Sequence, residues 1–229
     1  MDQNFCTAVF WHGGEKIDLH GLEPEAVRCL SVTGERKVNI SFLRAYPNLE
    51  ELTLMEKCEG VEVLCELKQL RYLTLWLSAP VSWEQIHLSN LRVLHLRGEK
   101  NGDVTPLLAD ITVLHLEEMR KVEDISPFLI PAVHLQKLYL QSLPAVQTLP
   151  NLELLCDLYA IKLYELHKLN DLSALSQQSA LLCSFIDCGQ AVSWKIGRGC
   201  NGGSEFERGS FRTGRSFWTA IWSNPKGIF

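Results

Sequence analysis

The sequence predicts a repeat protein of the α/β class, in which short parallel strands stack side by side into one sheet. A six-residue pattern, Leu-x-x-Leu-x-Leu with other aliphatic residues allowed, recurs seven times between residues 27 and 163, and successive copies start 20 to 24 residues apart. Within each copy the fourth and sixth residues are apolar and the fifth is mostly polar, which is the alternation of a half-buried strand. The roughly 15 residues between copies suit the crossover connection that a parallel neighbour requires.

The copies are recognised by the aliphatic residues at their first, fourth and sixth positions. The clearest pair is "LRVLHLRGEK", residues 91–100, and "ITVLHLEEMR", residues 111–120, which share the phrase Val-Leu-His-Leu. One copy cannot bury its leucines alone, whereas stacked copies create a continuous core. The copies are Val27/Leu30/Val32, Leu49/Leu52/Leu54, Leu70/Leu73/Leu75, Leu91/Leu94/Leu96, Ile111/Leu114/Leu116, Leu135/Leu138/Leu140 and Leu158/Ile161/Leu163.

This pattern, at a period of 20–24 residues, resembles the leucine-rich repeat family over residues 27–182. The resemblance implies a solenoid with a curved parallel β-sheet on its concave face and short helices, 3-10 turns and loops on its convex face. The family often places Asn or Cys three residues after the last motif leucine, and this chain does not. We therefore expect the turns after the strands to be satisfied by other groups. The positions hold Glu35, Lys57, Ser78, Glu99, Met119, Leu143 and Leu166 instead.

The connections between copies carry a second, weaker repeat. The segments "VNISFL", "DVTPLL", "EDISPFL" and "NDLSAL" each place Asn or Asp, or a nearby Ser or Thr, before an aliphatic pair. Such side chains accept hydrogen bonds from the first backbone N–H groups of a helix. We therefore expect these segments to begin short helical turns on the convex face.

The N-terminal end departs from the repeat. Two apolar runs within residues 6–22 flank Gly13-Gly14, and a Gly-Gly pair between apolar runs favours a β-hairpin. A solenoid needs capping ends. The sequence therefore predicts that residues 1–26 form an N-terminal cap containing this hairpin, followed by a solenoid of about seven repeats over residues 27–182.

The C-terminal end loses the pattern. A further copy is due near residue 181, but neither Leu181 nor Leu182 as its first residue gives apolar residues at both the fourth and the sixth positions. The last 42 residues hold eight of the 15 glycines, three of the six tryptophans, and six Lys or Arg against two Glu. We therefore predict that residues 183–229 are an atypical tail rich in Gly, Trp and basic residues, either disordered or an irregular cap. The segments "AVSWKI" and "SFWTAIW" have the strand character of a folded cap.

Composition and charge exclude several classes of protein. With 46% hydrophobic residues the chain can build a core, and its net charge of −5 gives no reason to expect nucleic acid. No apolar run approaches the roughly 20 residues that span a bilayer. The first 20 residues lack the basic start and apolar run of a signal peptide, and the eight cysteines are not spaced as a small disulfide framework. We therefore expect a cytoplasmic protein with free thiols, against which the sequon at Asn39 weighs little.

Chemistry motifs are weak in this chain. "GRGCNG" matches G-x-G-x-x-G at residues 197–202, but a poor helix follows it and no acid lies about 20 residues beyond it, as a dinucleotide site requires. Cys183, Cys188 and Cys200 fit no common zinc spacing. Neither a nucleophile elbow nor an H-E-x-x-H motif is present. The sequence predicts no catalytic residue, no cofactor and no enzymatic activity.

The strands offer a better candidate site. Side chains at the third and fifth positions of each copy, and at the seventh position directly after it, point away from the leucines. The resemblance implies that they lie on the concave face. Several are aromatic or Arg, the types enriched at protein interfaces. Aromatic residues also simply suit strand surfaces, and Arg97 beside Glu117 can be no more than a cross-strand ion pair. The predicted partner-binding residues are Tyr72, Trp76, His95, Arg97, His115, Glu117, Tyr139, Lys162 and Tyr164.

The function expected from these residues is non-catalytic recognition of a protein partner. One alternative is a metal-linked or enzymatic role centred on His95 and His115, because adjacent strands lie about 4.8 Å apart and the two rings could share an ion. That alternative lacks a further ligand unless Glu117 supplies it. The other alternative is a structural fragment of a longer repeat protein. The sequence identifies neither the partner nor the oligomeric state.

Overall fold

A computed structural model describes residues 10–11, 23–33, 37–178, 181 and 183–187. All the strands of this part are short, from two to six residues. Along the chain they are β1 (Phe10–Trp11), β2 (Cys29–Val32), β3 (Val38–Asn39), β4 (Glu51–Glu56), β5 (Cys58–Glu59), β6 (Tyr72–Leu77), β7 (Val93–Arg97), β8 (Val113–Glu117), β9 (Lys137–Gln141), β10 (Ala160–Tyr164) and β11 (Cys183–Asp187).

Within the described residues, nine of these strands form one large parallel sheet in the order β1-β2-β4-β6-β7-β8-β9-β10-β11. Each of the seven sequence copies supplies one strand, so the predicted parallel sheet is confirmed. Neighbouring copies pair position for position: Leu94 lies opposite Leu114 and His95 opposite His115. β3 and β5 form a separate two-stranded parallel ladder in the connections.

The leucines of the copies face the core, as the alternation predicts. β7 and β8 both alternate between half-buried and buried residues along their length. Leu94, Leu96, Leu114 and Leu116 are fully buried. The apolar residues of all seven copies belong to one continuous hydrophobic core. The opposite face of the sheet carries the third, fifth and seventh positions of the copies, and we call it the outer sheet face.

The helices in the connections are mostly 3-10 helices, with a single short α-helix among the described residues. None of these helices is long and apolar enough to cross a membrane. The 3-10 helices are Pro24–Ala26, Ile40–Ala45, Val61–Glu66, Thr105–Leu107 and Ser173–Gln177, and the α-helix is α1 (Ser126–Leu129).

An Asn or Asp of each segment binds the start of the helical turn, as expected, but only Asn39 is itself the residue directly before the helix. In each of the four segments an Asn or Asp side chain accepts a hydrogen bond from the backbone N–H two residues later, at the start of the helical turn. This bond occupies one of the N–H groups that a helix start leaves without a partner. The pairs are Asn39 with Ser41 (2.9 Å), Asp103 with Thr105 (3.0 Å), Asp124 with Ser126 (2.8 Å) and Asp171 with Ser173 (2.8 Å).

Backbone hydrogen bonds satisfy several of the turns after the strands, where many leucine-rich repeats use an Asn or Cys side chain. The residue after the seventh position takes a left-handed conformation in most copies. In three of these copies, at Gly98, Glu118 and Ser142, its N–H donates to the last residue of the next strand. Gly98 N–H donates to the carbonyl of Glu117 at 2.8 Å, and Ser142 N–H donates to that of Tyr164 at 2.9 Å. The sheet ladder therefore continues into the turn. The residues with positive φ at this position are Glu56, Gly98, Glu118, Ser142 and Glu165.

The turn after β6 is satisfied by a side chain from the following copy. Leu77 N–H donates to Oδ1 of Asn101 at 3.2 Å, while the amide nitrogen of Asn101 donates to the carbonyls of Arg97 (3.3 Å) and Gly98 (3.0 Å). Asn101 is only 4% exposed. The buried indole N–H of Trp83 donates to the Asn101 carbonyl at 2.5 Å. One asparagine therefore joins the turns after β6 and β7.

The sheet extends beyond the strands of the seven copies at both ends. β11 pairs in parallel with β10, with Ser184 opposite Ile161, so the sheet continues past residue 182, where the pattern placed the end of the repeats. β1 pairs in parallel with β2. The rest of the predicted hairpin over residues 6–22 and the predicted tail from residue 188 onward lie outside the described residues, so those predictions stay untested.

Candidate functional site

All nine residues predicted to contact a partner lie on the outer sheet face of β6 to β10. The sheet places these five strands side by side, so the nine side chains share one surface. Most are half-buried, and Trp76 is 42% exposed. Tyr72 stands at the third position of β6, opposite Val93. The remaining eight form a chain of contacts that runs across the sheet.

Two histidines lie at the centre of that chain. The rings of His95 and His115 stack with centroids 4.1 Å apart and planes inclined by 8°. The stack follows from the parallel register, which places the fifth residues of two adjacent copies opposite each other. Tyr139, next across the sheet, tilts against His115 with a centroid distance of 5.2 Å. Three rings thus cover the middle of the face.

Glu117 joins the histidine pair to a cation. Its Oε2 lies 2.7 Å from Nε2 of His95, and because a carboxylate can only accept, the imidazole N–H donates. Its Oε1 lies 3.8 Å from Nε of Arg97, the residue directly opposite in the register. Glu117 is 14% exposed in its side chain, so this is a partly desolvated contact and not a surface ion pair.

Arg97 is held in place from two sides. Its guanidinium carbon lies 4.1 Å from the centroid of the Trp76 ring, within the range of a cation–π contact. Two of its nitrogens donate to the carboxylate of Glu118 at 3.0 and 2.7 Å. A bidentate pair of this kind fixes the plane of the guanidinium. Arg97 therefore presents Trp76 in one orientation at the exposed edge of the face.

Lys162 and two tyrosines complete the other side. Nζ of Lys162 lies 6.0 Å from the ring of Tyr139 and 5.9 Å from the ring of Tyr164. These distances are at the outer limit of cation–π attraction. The sequence-predicted residues of β9 and β10 thus form an aromatic group around one ammonium.

Both histidines are disfavoured as cations. Burial, with smaller contributions from the nearby His95 and Lys162, lowers the pKa of His115 to about 3, although a hydrogen bond with Gln141 opposes the shift. Burial also lowers the pKa of His95, against the raising effect of Glu117. The free energy lost when a charged imidazole is removed from water exceeds the stabilisation that a single carboxylate, here Glu117, provides. The rings are therefore neutral at pH 7.

One atom in the centre of the face has no hydrogen-bond partner. Nε2 of His115 is buried and unpaired, which sets it apart from the other buried side-chain nitrogen and oxygen atoms of the described residues. His95, His115 and Glu117 each offer one ligand atom, and these atoms lie within 4.8 Å of one another. The structure thus places Glu117, the only further ligand that the sequence offered, beside the two histidines.

Sequence reasoning missed a groove beside Trp76. It lies where β6, β7 and β8 end, and its volume is about 340 Å³. Glu118 lines this groove and binds Arg97, although the sequence pattern assigned no role to Glu118. The only sequence signal was the charged residues that follow β7 and β8. Its charged lining residues are Glu99, Lys100, Glu118, Arg120 and Lys121.

Comparisons with known proteins leave the family open. No family model and no curated protein matches the chain. Among solved structures, the crystal structure of an internalin (inlF) from Listeria monocytogenes aligns with a TM-score of 0.39 and 21% identity, over 71% of this chain and 59% of that one. The chain thus spans less than two thirds of the internalin. A similarity of this size establishes neither family nor function, so both rest on the residues themselves.

Proposed function

We propose that the chain is a leucine-rich-repeat solenoid that acts as a non-catalytic, protein-binding module. The support for the solenoid is the repeated strand, its position-for-position register and the single core that runs through all seven copies. In such a solenoid the outer sheet face is the concave face. A cytoplasmic location is part of the proposal, because Cys58, Cys65 and Cys156 are free thiols, as in proteins of reducing compartments.

The observation that carries the binding function is the contact chain from Trp76 to Tyr164. It crosses five neighbouring strands and combines aromatic and imidazole rings with charged groups. Trp, Tyr and Arg are enriched among the residues that dominate the binding energy of protein interfaces. The aromatic rings are also rigid, so they lose little entropy when they are covered. A preordered row of them costs little to dock against.

The side chains divide into anchors and orienting groups. Trp76 is the most exposed ring of the row, and Arg97 holds it in one orientation, so Trp76 is the first anchor. Tyr139 and Tyr164 form the second anchor around Lys162. Between the anchors, His95 and Glu117 offer polar atoms that fix the register of a partner. Protein is the partner that this mixture of rings and both charge signs favours.

The experiment has two stages. A partner is first captured with the whole chain from cells of its source, purified, and its affinity measured by titration calorimetry. Trp76→Ala and Tyr139→Ala should then each weaken binding by about tenfold or more, as expected for anchors that contribute over 1.4 kcal/mol.

Matched controls come from exposed apolar residues in the connections. Ile130 and Leu154 are 64% and 70% exposed and lie outside the strands. Ile130→Ala and Leu154→Ala should leave the affinity unchanged. If these two variants lose affinity and the two sheet variants keep it, the partner uses the connections and the proposal is wrong.

A further inference from the structure

We propose that His95, His115 and Glu117 form a zinc-binding site on the outer sheet face. One ligand atom from each residue lies within 4.8 Å of the other two. The three residues belong to the adjacent strands β7 and β8, whose backbones are fixed by the sheet ladder. A site carried on strands is held more rigidly than one carried on loops.

A second, independent observation points to a ligand at this place. Nε2 of His115 is buried without a hydrogen-bond partner in the described structure. A buried polar atom left unpaired is costly, and one in a native structure calls for a partner that satisfies it. A metal ion accepts the lone pair of a neutral imidazole nitrogen and supplies that partner.

The rings must turn slightly to take up the ion. With planes inclined by only 8°, the two imidazoles direct their lone pairs nearly parallel to each other. Zinc–nitrogen bonds of about 2.0–2.1 Å require these lone pairs to converge. The torsion between Cβ and the ring is broad, so a rotation that splays the stack costs little. Glu117 already contacts His95 at 2.7 Å and can exchange its hydrogen bond for a bond to the ion.

The ligand set selects the class of ion. Two imidazole nitrogens and one carboxylate suit zinc and its first-row neighbours, whereas calcium and magnesium prefer oxygen ligands alone. Three protein ligands also leave a tetrahedral zinc with one open position. On a face that binds a partner, that position is open to water or to a side chain of the partner.

Positive charges nearby limit the affinity. Arg97 approaches Glu117 to 3.8 Å, and Lys162 is close enough to His115 to lower its pKa. The pairing of Arg97 with Glu118 and its contact with Trp76 hold the guanidinium at the edge of the site. The ion and Arg97 still repel each other. Removing this arginine should therefore tighten zinc binding, a signature that an unrelated surface site would not show.

The first test is calorimetric titration of zinc into the whole chain after treatment with a chelator. We expect one equivalent to bind to the wild type at this site. His95→Ala, His115→Ala and Glu117→Gln should each weaken it by at least the tenfold typical of losing even a supporting group around a metal. Arg97→Gln should tighten it, by about tenfold at low salt and less at high salt. His134→Ala, at an exposed histidine outside the strands, should change nothing.

Cobalt spectroscopy of the wild type keeps the test independent of how the variants fold. Cobalt(II) at this site should show the intense d–d absorption of a low-coordinate ion without a thiolate charge-transfer band. A thiolate band would assign the metal to cysteines, and zinc binding unchanged in both histidine variants with a normal circular dichroism spectrum would place it away from these histidines. Either result overturns the proposal. No zinc binding to the wild type would do the same. Because this test needs no partner, its result is separate from that of the binding module.

Discussion

Glu117 lies directly opposite Arg97 in the sheet, yet its nearest partner is the diagonal neighbour His95, at 2.7 Å against 3.8 Å for the guanidinium. The reason is local. Glu118 takes a left-handed conformation at the start of the turn, and its carboxylate captures Arg97 at 2.7 Å. Glu117 is then left to the imidazole. The arginine orients the tryptophan at the edge of the face, and the glutamate joins the histidines at its centre.

The core leucines of β8 should control stability. Leu114 is fully buried among the stacked copies, so Leu114→Ala leaves a cavity and should lower the free energy of unfolding by about 2–5 kcal/mol. Leu154→Ala is the matched control, since Leu154 is an exposed leucine, and it should change stability by about 0.5 kcal/mol or less. Urea denaturation followed by circular dichroism measures both. Equal effects would contradict the assignment of Leu114 to the core.

Asn101 should be the most sensitive polar residue in the turns. Asn101→Ala removes three hydrogen bonds and leaves the N–H of Leu77 and the carbonyls of Arg97 and Gly98 short of partners. The loss should be about 1–3 kcal/mol or more in the free energy of unfolding. Asn90→Ala is the control, because its amide makes a single hydrogen bond, to the Lys68 carbonyl, at an exposed site. Asn101→Ala with no larger effect than Asn90→Ala would show that the turns are satisfied without Asn101.

Two glycines with the same backbone conformation should respond differently to alanine. Gly98 and Gly102 have φ of 73° and 78°. A Cβ at Gly102 would lie 2.1 Å from the carbonyl oxygen of Val81, whereas at Gly98 the nearest atom is Trp76 Cδ1 at 4.0 Å. Gly98→Ala should therefore cost about 1 kcal/mol of conformational strain. Gly102→Ala adds a backbone clash and should cost clearly more, as thermal denaturation of the pair will show.

The repeated strand could be predicted from sequence because its signal is written in residue types. Leu94, Leu96, Leu114 and Leu116 stand two apart in each strand and are all buried. The same period places His95 opposite His115, so the proximity of the two rings could be predicted from the sequence. Its contacts were not, because the hydrogen bond of Glu117 depends on where Arg97 points.

Two other features, the pairing of β11 and the contact of Glu118, could not be predicted from residue types. β11 pairs through its backbone with Ser184 opposite Ile161, and backbone hydrogen bonds form whatever the side chain is. The pattern requires an apolar residue there, so it does not mark this strand. Glu118 was missed for a similar reason, since a left-handed backbone is unusual for glutamate and is set by the turn.

Acid should weaken the caps of the connections. Hydrogen bonds from Thr105, Ser126 and Ser173 lower the pKa of Asp103, Asp124 and Asp171 in the folded chain. A carboxyl whose folded pKa is depressed adds stability above its unfolded pKa of about 3.9, and this contribution is lost as the pH falls through the folded value.

The matched variant for these caps replaces all three aspartates by asparagine, which still accepts a hydrogen bond but does not titrate in this range. The Tm of the wild type should exceed that of the triple variant at pH 6, and the difference should shrink steadily below pH 4. A difference that stays constant down to pH 2 would show that the charge of these caps contributes nothing.

Two cysteines should differ sharply in reactivity. Burial, with a smaller contribution from the charge of Glu56, raises the pKa of Cys58 to about 11, so at pH 7 only about one molecule in ten thousand carries the reactive thiolate. Cys156 is exposed on a connection. In the native chain an aromatic disulfide reagent should therefore modify Cys156 at least about a hundredfold faster than Cys58. Cys156→Ser should remove a fast phase, whereas Cys58→Ser should alter only the total thiol count measured in denaturant. Because Cys58 lies on β5, next to the turn after β4, its early modification in the native chain would mean that this part of the core opens readily to solvent.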